Sequence, residues 1–219
     1  PELTTKTILN IKPDWVILTA ALTNVDLCET NKELAVKINS KGPEIVAKSC
    51  KKINAKLVYI STDFVFDGKK KLYNEKDSPN PISFYGKSKL DGEIAVQNSD
   101  IHHLIIRTSV LFGWNKDPNN PNYVVWIINK LKNNENITIT YNQSNTPTLA
   151  DNLAQAILKS INKNLQGLYH MSGSECINRY KFALKIAEIF NLNKKLITPI
   201  PEFKQIAKRP QFSCLDVSK

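Results

Sequence analysis

The chain has 219 residues, 42% of them hydrophobic, which is enough apolar material to bury one sizeable core and argues against a disordered segment. No run approaches the roughly 18 apolar residues of a membrane span and no basic-then-apolar leader is present, so the reading excludes a membrane partner and gives a cytoplasmic address. The formal net charge of +10 rests on scattered lysines, clustered only at Lys51-Lys52, Lys69 to Lys71 and Lys194-Lys195 without interleaved aromatic residues. This describes a solvated surface rather than a nucleic-acid platform, while phosphate-bearing small ligands stay compatible.

The first residues look like the end of a helix leading into Asp14 to Thr19 (DWVILT). That run, Lys56 to Ser61 (KLVYIS) and His103 to Thr108 (HLIIRT) are short and rich in β-branched and aromatic residues, as buried parallel strands are. Between the first two, Ile38, Ile45, Val46, Cys50 and Ile53 recur at helical steps across Glu33 to Lys52, with Gly42-Pro43 marking a new helix start. Strand alternating with helix implies βαβ crossovers and the α/β class with a doubly wound parallel sheet. Beyond Thr108 the sequence predicts a Pro/Asn-rich loop from Asn115 to Asn122, a helix over Tyr123 to Lys132 and a strand over Ile137 to Tyr141. A helix over Leu149 to Ile161, a strand over Leu168 to Ser172 and a helix over Arg179 to Phe190 follow.

Only seven glycines are present, none in the glycine-rich turn that normally opens a nucleotide-binding sheet, and Gly86-Lys87-Ser88 lacks the upstream Gly of a phosphate loop. The expectation is a chain in which the first βαβ unit is missing. Cys28, Cys50, Cys176 and Cys214 show no CxxC spacing and read as reduced, mostly packed thiols. With His102, His103 and His170 they make no metal constellation.

Tyr85 and Lys89 open a predicted helix (SFYGKSKLDGEIAV), and their four-residue step puts both on one face. Alone the spacing means little, because with seven Tyr and a lysine-rich chain about one such pair arises by chance. The context adds weight. ISTDFVFDG (Ile60 to Gly68) sets Ser61, Thr62 and Asp63 where a buried strand gives way to a loop, the position at which open parallel sheets hold ligands.

In these segments the chain resembles the extended short-chain dehydrogenases/reductases, and among them the dTDP-4-dehydrorhamnose reductases. LTAALTNVDLCE (Leu18 to Glu29), Asn39, ISTDFVFDG, SFYGKSKLDGE, RTSVLFG (Arg107 to Gly113), NQSNTPTLADNLA (Asn142 to Ala154) and RPQFSCLDVSK (Arg209 to Lys219) are similar in wording, order and separation. Phe64 stands where that family often has Tyr, Val110 where it often has Trp, and Leu22 where Tyr or His is common. The resemblance implies a Rossmann-like sheet. Residues 1–110 would be the remaining part of an NAD(P)-binding domain and 111–219 mainly a smaller substrate-binding region, with 149–172 returning to the sheet.

It further implies Thr62, Tyr85 and Lys89 as catalytic residues, and Thr19, Ala20, Ala21, Asn39 and Ser61 with Tyr85 and Lys89 along an NADPH or NADH cofactor. Val25, Asp63, Phe64, Val110 and Arg209 would face a nucleotide-sugar. It admits Mg2+ and a homodimer. Reducing a ketone takes a hydride at carbon and a proton at oxygen, and the phenol of Tyr85, ordinarily near pKa 10, gives its proton up more readily if Lys89 and the nicotinamide charge lower that value. Thr62 would hold the ketone oxygen.

Two other activities stay open. A nucleotide-sugar epimerase shares the Tyr/Lys pair, and the non-catalytic NADP-binding regulatory subunit of methionine adenosyltransferase resembles the same branch. Dehydration is disfavoured, since related dehydratases follow STD with Glu where Phe64 stands. The sugar and the choice between NADPH and NADH are not legible.

Overall fold

The computed structural model describes residues 2–114 and 121–219, so positions 115–120 of the loop expected over Asn115 to Asn122 lie outside the described residues. In chain order the first half runs α1 (Glu2–Ile11), β1 (Trp15–Leu18), α2 (Val25–Thr30), α3 (Lys32–Ala35), a π-helical segment (Val36–Lys41), α4 (Gly42–Lys52), β2 (Lys56–Thr62), β3 (Leu72–Tyr73), α5 (Phe84–Gln97) and β4 (His103–Thr108). The second half runs β5 (Leu111–Phe112), α6 (Tyr123–Lys132), β6 (Ile137–Thr140), β7 (Ser144–Asn145), β8 (Thr148–Leu149), α7 (Ala150–Asn162), β9 (Gly167–His170), β10 (Ile177–Asn178), α8 (Arg179–Ile189), β11 (Ile197–Ile200) and β12 (Cys214–Leu215).

The three apolar runs form strands and join β9 in a parallel sheet of order β1-β2-β4-β9. Their side chains are apolar on both faces because both faces are covered. Leu57, Tyr59 and Ile105 pack under Ile8 of α1, Val46, Ala47 and Cys50 of α4 and Val96 of α5, while Val58, Leu104 and Ile106 pack under Leu153 and Ile157 of α7. The α/β class and the parallel sheet stand as read. A further cluster, with Ile127, Ile128 and Leu131 of α6, Ala183 and Ile186 of α8, and Ile137 and Ile197 of the parallel β6-β11 pair, forms a separate core.

Gly42-Pro43 does begin a helix, but through a π segment rather than a break. Pro43 has no N–H to donate, and the Gly42 N–H reaches back five residues to Lys37 O. The carbonyl of Asn39, four residues before Pro43, instead accepts the Tyr59 hydroxyl at 3.3 Å. The cysteine expectation needs correcting in part. Cys28 and Cys50 are buried free thiols, whereas Cys176 and Cys214 form a disulfide between the loop entering β10 and strand β12. No local motif joins two cysteines 38 residues apart; the pairing follows from the tertiary approach of the two segments. No helix among the described residues is long and apolar enough to cross a membrane.

Candidate active site

Strand β2 ends at Thr62, whose Oγ1 accepts the Phe64 N–H at 3.2 Å and starts the tight turn Asp63–Val65. Helix α5 is capped by Ser83, whose Oγ accepts the Gly86 N–H at 3.2 Å, satisfying one of the donors that a helix start leaves free. Two glycines let α5 lie directly on neighbouring backbone: a Cβ at Gly86 would fall 2.1 Å from Phe64 O, and one at Gly92 would fall 2.4 Å from Asn39 O. Strand end and helix start are thereby pressed together. The result is a cavity of about 310 Å³ that Thr62, Tyr85 and Lys89 line together with Thr19, Ala21 and Val110.

Burial is the largest influence on the Tyr85 hydroxyl. Burial pushes its phenol well above the ordinary range, with the Thr62 hydroxyl acting in the opposite direction. Lys89 does not offset this, because its Nζ donates to Ile60 O at 2.7 Å and lies 4.2 Å from the centroid of the Tyr59 ring. Burial lowers the Lys89 ammonium from 10.5 to about 8. Tyr85 is therefore held as a proton donor. Asp63 is buried, which raises its carboxyl pKa; its oxygens accept Ser109 Oγ at 2.8 Å and Thr62 Oγ1 at 3.1 Å. Val110 sits at φ 41°, a costly conformation for a β-branched residue. It is held there while its carbonyl accepts the Thr148 N–H at 3.2 Å.

Of the remaining sequence-predicted positions, Ser61 and Asp63 also line this cavity, and the others lie elsewhere. Ala20 faces an apolar cavity with Leu18, Ile38 and Val46, away from the one that Thr19 and Ala21 line. Asn39 is buried with its amide committed: Nδ2 donates to Leu22 O and Ser88 Oγ, both at 3.0 Å, and Oδ1 accepts the Leu22 N–H at 2.8 Å. It braces the loop after β1. Ser61 Oγ donates to Glu93 Oε1 at 2.5 Å, and Glu93 is gripped by Arg107 through Nε at 2.9 Å and Nη2 at 2.6 Å. This buried ion pair under the strand end escaped the sequence reading, although an Arg inside HLIIRT is a visible oddity.

Val25, Phe64 and Arg209 line a second cavity, of about 300 Å³, together with Tyr123, Gln143 and Arg179. Phe64 lines this second cavity alone, with its ring 5.7 Å from that of Tyr85, which lines the first, and steeply inclined to it. Arg209 is tied down, donating to both oxygens of Asp26 at 2.8 and 3.0 Å, and it holds that carboxyl below the usual range. Tyr123, Gln143 and Arg179 were missed. Gln143 lies inside the quoted segment Asn142 to Ala154 and was passed over there, whereas Tyr123 and Arg179 carry no local signal and are brought in by the packing of α6 on α8. No group of three or more His, Cys, Asp or Glu among the described residues could hold a metal ion.

A family model described as the RmlD substrate binding domain matches residues 1–219. The chain is 34% identical over 209 residues to a probable low-salt glycan biosynthesis reductase of Haloferax volcanii, covering 94% of this chain and 70% of that protein. It is 32% identical to the methionine adenosyltransferase 2 subunit beta of Rattus norvegicus, covering 97% of this chain and 65% of that one. The crystal structure of a dTDP-4-dehydrorhamnose reductase from Bacillus anthracis in complex with NADP superposes with a TM-score of 0.93 at 34% identity, over 99% of this chain and 76% of that one.

Proposed function

The chain belongs to the RmlD substrate-binding domain family, and on that premise we propose that the whole protein is an NAD(P)H-dependent oxidoreductase that reduces the 4-keto group of a nucleotide-linked deoxysugar, as dTDP-4-dehydrorhamnose reductase does. The observation that carries the reading is the convergence of Thr62, Tyr85 and Lys89 on one cavity, beside a second cavity of a size and polarity suited to the rest of such a substrate. A nicotinamide cofactor fits the first cavity on two grounds: small side chains at Thr19 and Ala21 leave room at the end of β1, and the Lys89 ammonium lines the space without a carboxylate of its own. That cofactor, when bound, supplies the hydride.

The side chains do the rest. Tyr85, kept protonated by burial, delivers a proton to the ketone oxygen as general acid. Thr62 orients that oxygen, exchanging its present partner Asp63 for it. Lys89 holds the cofactor's ribose and adds positive charge near Tyr85. Ala20 and Asn39 act from behind, shaping the backbone of the loop after β1 rather than touching ligand. Val110, Asp63 and Phe64 border the sugar.

The test is to incubate the full-length protein with dTDP-4-dehydrorhamnose and NADPH or NADH, following nicotinamide absorbance. Oxidation of the cofactor in step with loss of the ketone is expected. The likeness to a methionine adenosyltransferase subunit supplies the second reading. Absence of turnover, together with altered kinetics of a methionine adenosyltransferase on mixing, would replace the first reading with that one.

A further inference from the structure

Of thirty basic Lys and Arg residues only three are arginines: Arg107, Arg179 and Arg209. The chain covers its surface with lysine and keeps the planar five-donor fork of arginine for buried or partly buried positions. Two of the forks are filled: Arg107 grips Glu93 and Arg209 grips Asp26, each through two nitrogens. The third is not. Among the described residues no carboxylate approaches Arg179 within 4.0 Å, and its buried Nε has no hydrogen-bond partner.

Its backbone is nevertheless fixed on both sides, the N–H donating to Gln143 O at 2.9 Å and the carbonyl accepting the Tyr123 hydroxyl at 3.1 Å. The guanidinium lies 5.1 Å from the centroid of the Tyr123 ring, along the wall of the 300 Å³ cavity. Asp63, the acid that acts on it through space, has both oxygens occupied by Thr62 and Ser109. A guanidinium held in position, stacked on one face and lacking an anion is organised to receive one, and its geometry matches a phosphate.

We infer that Arg179 is the specificity-determining residue that binds the diphosphate of the substrate. Arg209, its fork spent on Asp26, instead ties the C-terminal stretch to α2. The inference rests on the nucleotide-linked substrate proposed above. Calorimetric titration of the full-length protein with thymidine diphosphate and with thymidine tests it, alongside NADPH as a probe of the neighbouring cavity.

Wild type is expected to bind the diphosphate at least about tenfold more tightly than thymidine. In Arg179→Met the diphosphate should weaken by about 10 to 100-fold, with thymidine and NADPH within twofold of wild type and the loss in turnover falling on KM rather than kcat. Arg179→Lys, which keeps the charge and loses the fork, should fall between. Diphosphate affinity within twofold of wild type in Arg179→Met overturns the inference. If that variant does not fold, Arg179→Lys decides: wild-type diphosphate affinity there overturns it too. A wild type that neither binds the diphosphate nor turns over the ketosugar sinks the proposed function as well, whereas wild-type turnover with an indifferent Arg179→Met removes Arg179 alone.

Discussion

Gly86→Ala is the sharpest probe of how the site is assembled. The added Cβ would lie 2.1 Å from Phe64 O and 3.0 Å from both Phe64 C and Pro81 Cβ. A backbone carbonyl cannot swing aside as a side-chain tip can, and ordinary contact begins near 3.4 Å, so helix and turn must part by about 1.3 Å. The parting falls between Tyr85, which precedes Gly86, and Thr62, which carries the turn containing Phe64. Misplacing a catalytic group by about 1 Å lowers a rate by roughly a hundredfold, and overpacking of this kind destabilises by about 1–3 kcal/mol. The assay is kcat of the full-length protein at saturating cofactor, with a thermal melt to establish that the variant is folded. Gly42→Ala is the control, because a Cβ there meets nothing nearer than Lys37 O at 3.8 Å and turnover should stay at the wild-type level. A folded Gly86→Ala with kcat within twofold of wild type would refute the close-approach argument.

Tyr85→Phe should lower kcat by at least about a hundredfold while leaving cofactor affinity nearly unchanged, since a general acid contributes on that scale; single-turnover kinetics and a cofactor titration read the two separately. Glu93→Gln leaves Arg107, 2% exposed, without its counter-charge and should cost about 3–5 kcal/mol in urea unfolding, more than the double replacement Glu93→Gln with Arg107→Met. Cys214→Ser opens a loop spanning 38 residues, worth about 4 kcal/mol in the chain-entropy account and so roughly 10 °C in Tm. A reducing agent should lower the wild-type Tm by the same amount and leave the Tm of Cys214→Ser unchanged.

The sheet was legible because each strand is a continuous apolar run and both faces of a covered parallel sheet demand that. Tyr85, Lys89 and Thr62 were legible because a helical step and a strand end are local features. What escaped depends on tertiary approach. Glu93 and Arg107 sit on different elements and meet only when α5 packs on the sheet. Arg179 and Tyr123 are 56 residues apart, and the disulfide joins segments with no shared motif. The π segment hid behind a pattern of apolar residues that remained helical, since one extra residue per turn shifts the face without erasing the period. The engagement of Arg209 escaped for a related reason: it lines the second cavity, as its place among the nucleotide-sugar positions implied, but with its fork already paired. An arginine in a suggestive motif can be spent on a carboxylate, and Asp26 lies 183 positions away.

The two cavities divide their work by whether their charged groups can titrate. In the catalytic cavity burial drives each ionisable group toward its neutral form: Tyr85 upward, Asp63 upward, and Lys89 down to about 8. In the other, Arg179 carries a guanidinium that keeps its charge at any working pH. The diphosphate of a nucleotide-sugar likewise has no proton to lose near neutrality. Lys89 is charged below a pH of about 8 and loses its charge as the pH rises through that value. Because kcat/KM for the reduced cofactor reports groups of the free enzyme, it should fall above pH 8 with the slope of a single proton. In Lys89→Arg the break should leave the accessible range, since guanidinium does not deprotonate there. KM for the nucleotide-sugar should stay flat from pH 6 to 9 over the same series. Parallel falls in both quantities would mean that one titrating group serves both cavities, and the division between a switchable chemical site and a permanently charged anchor would be wrong.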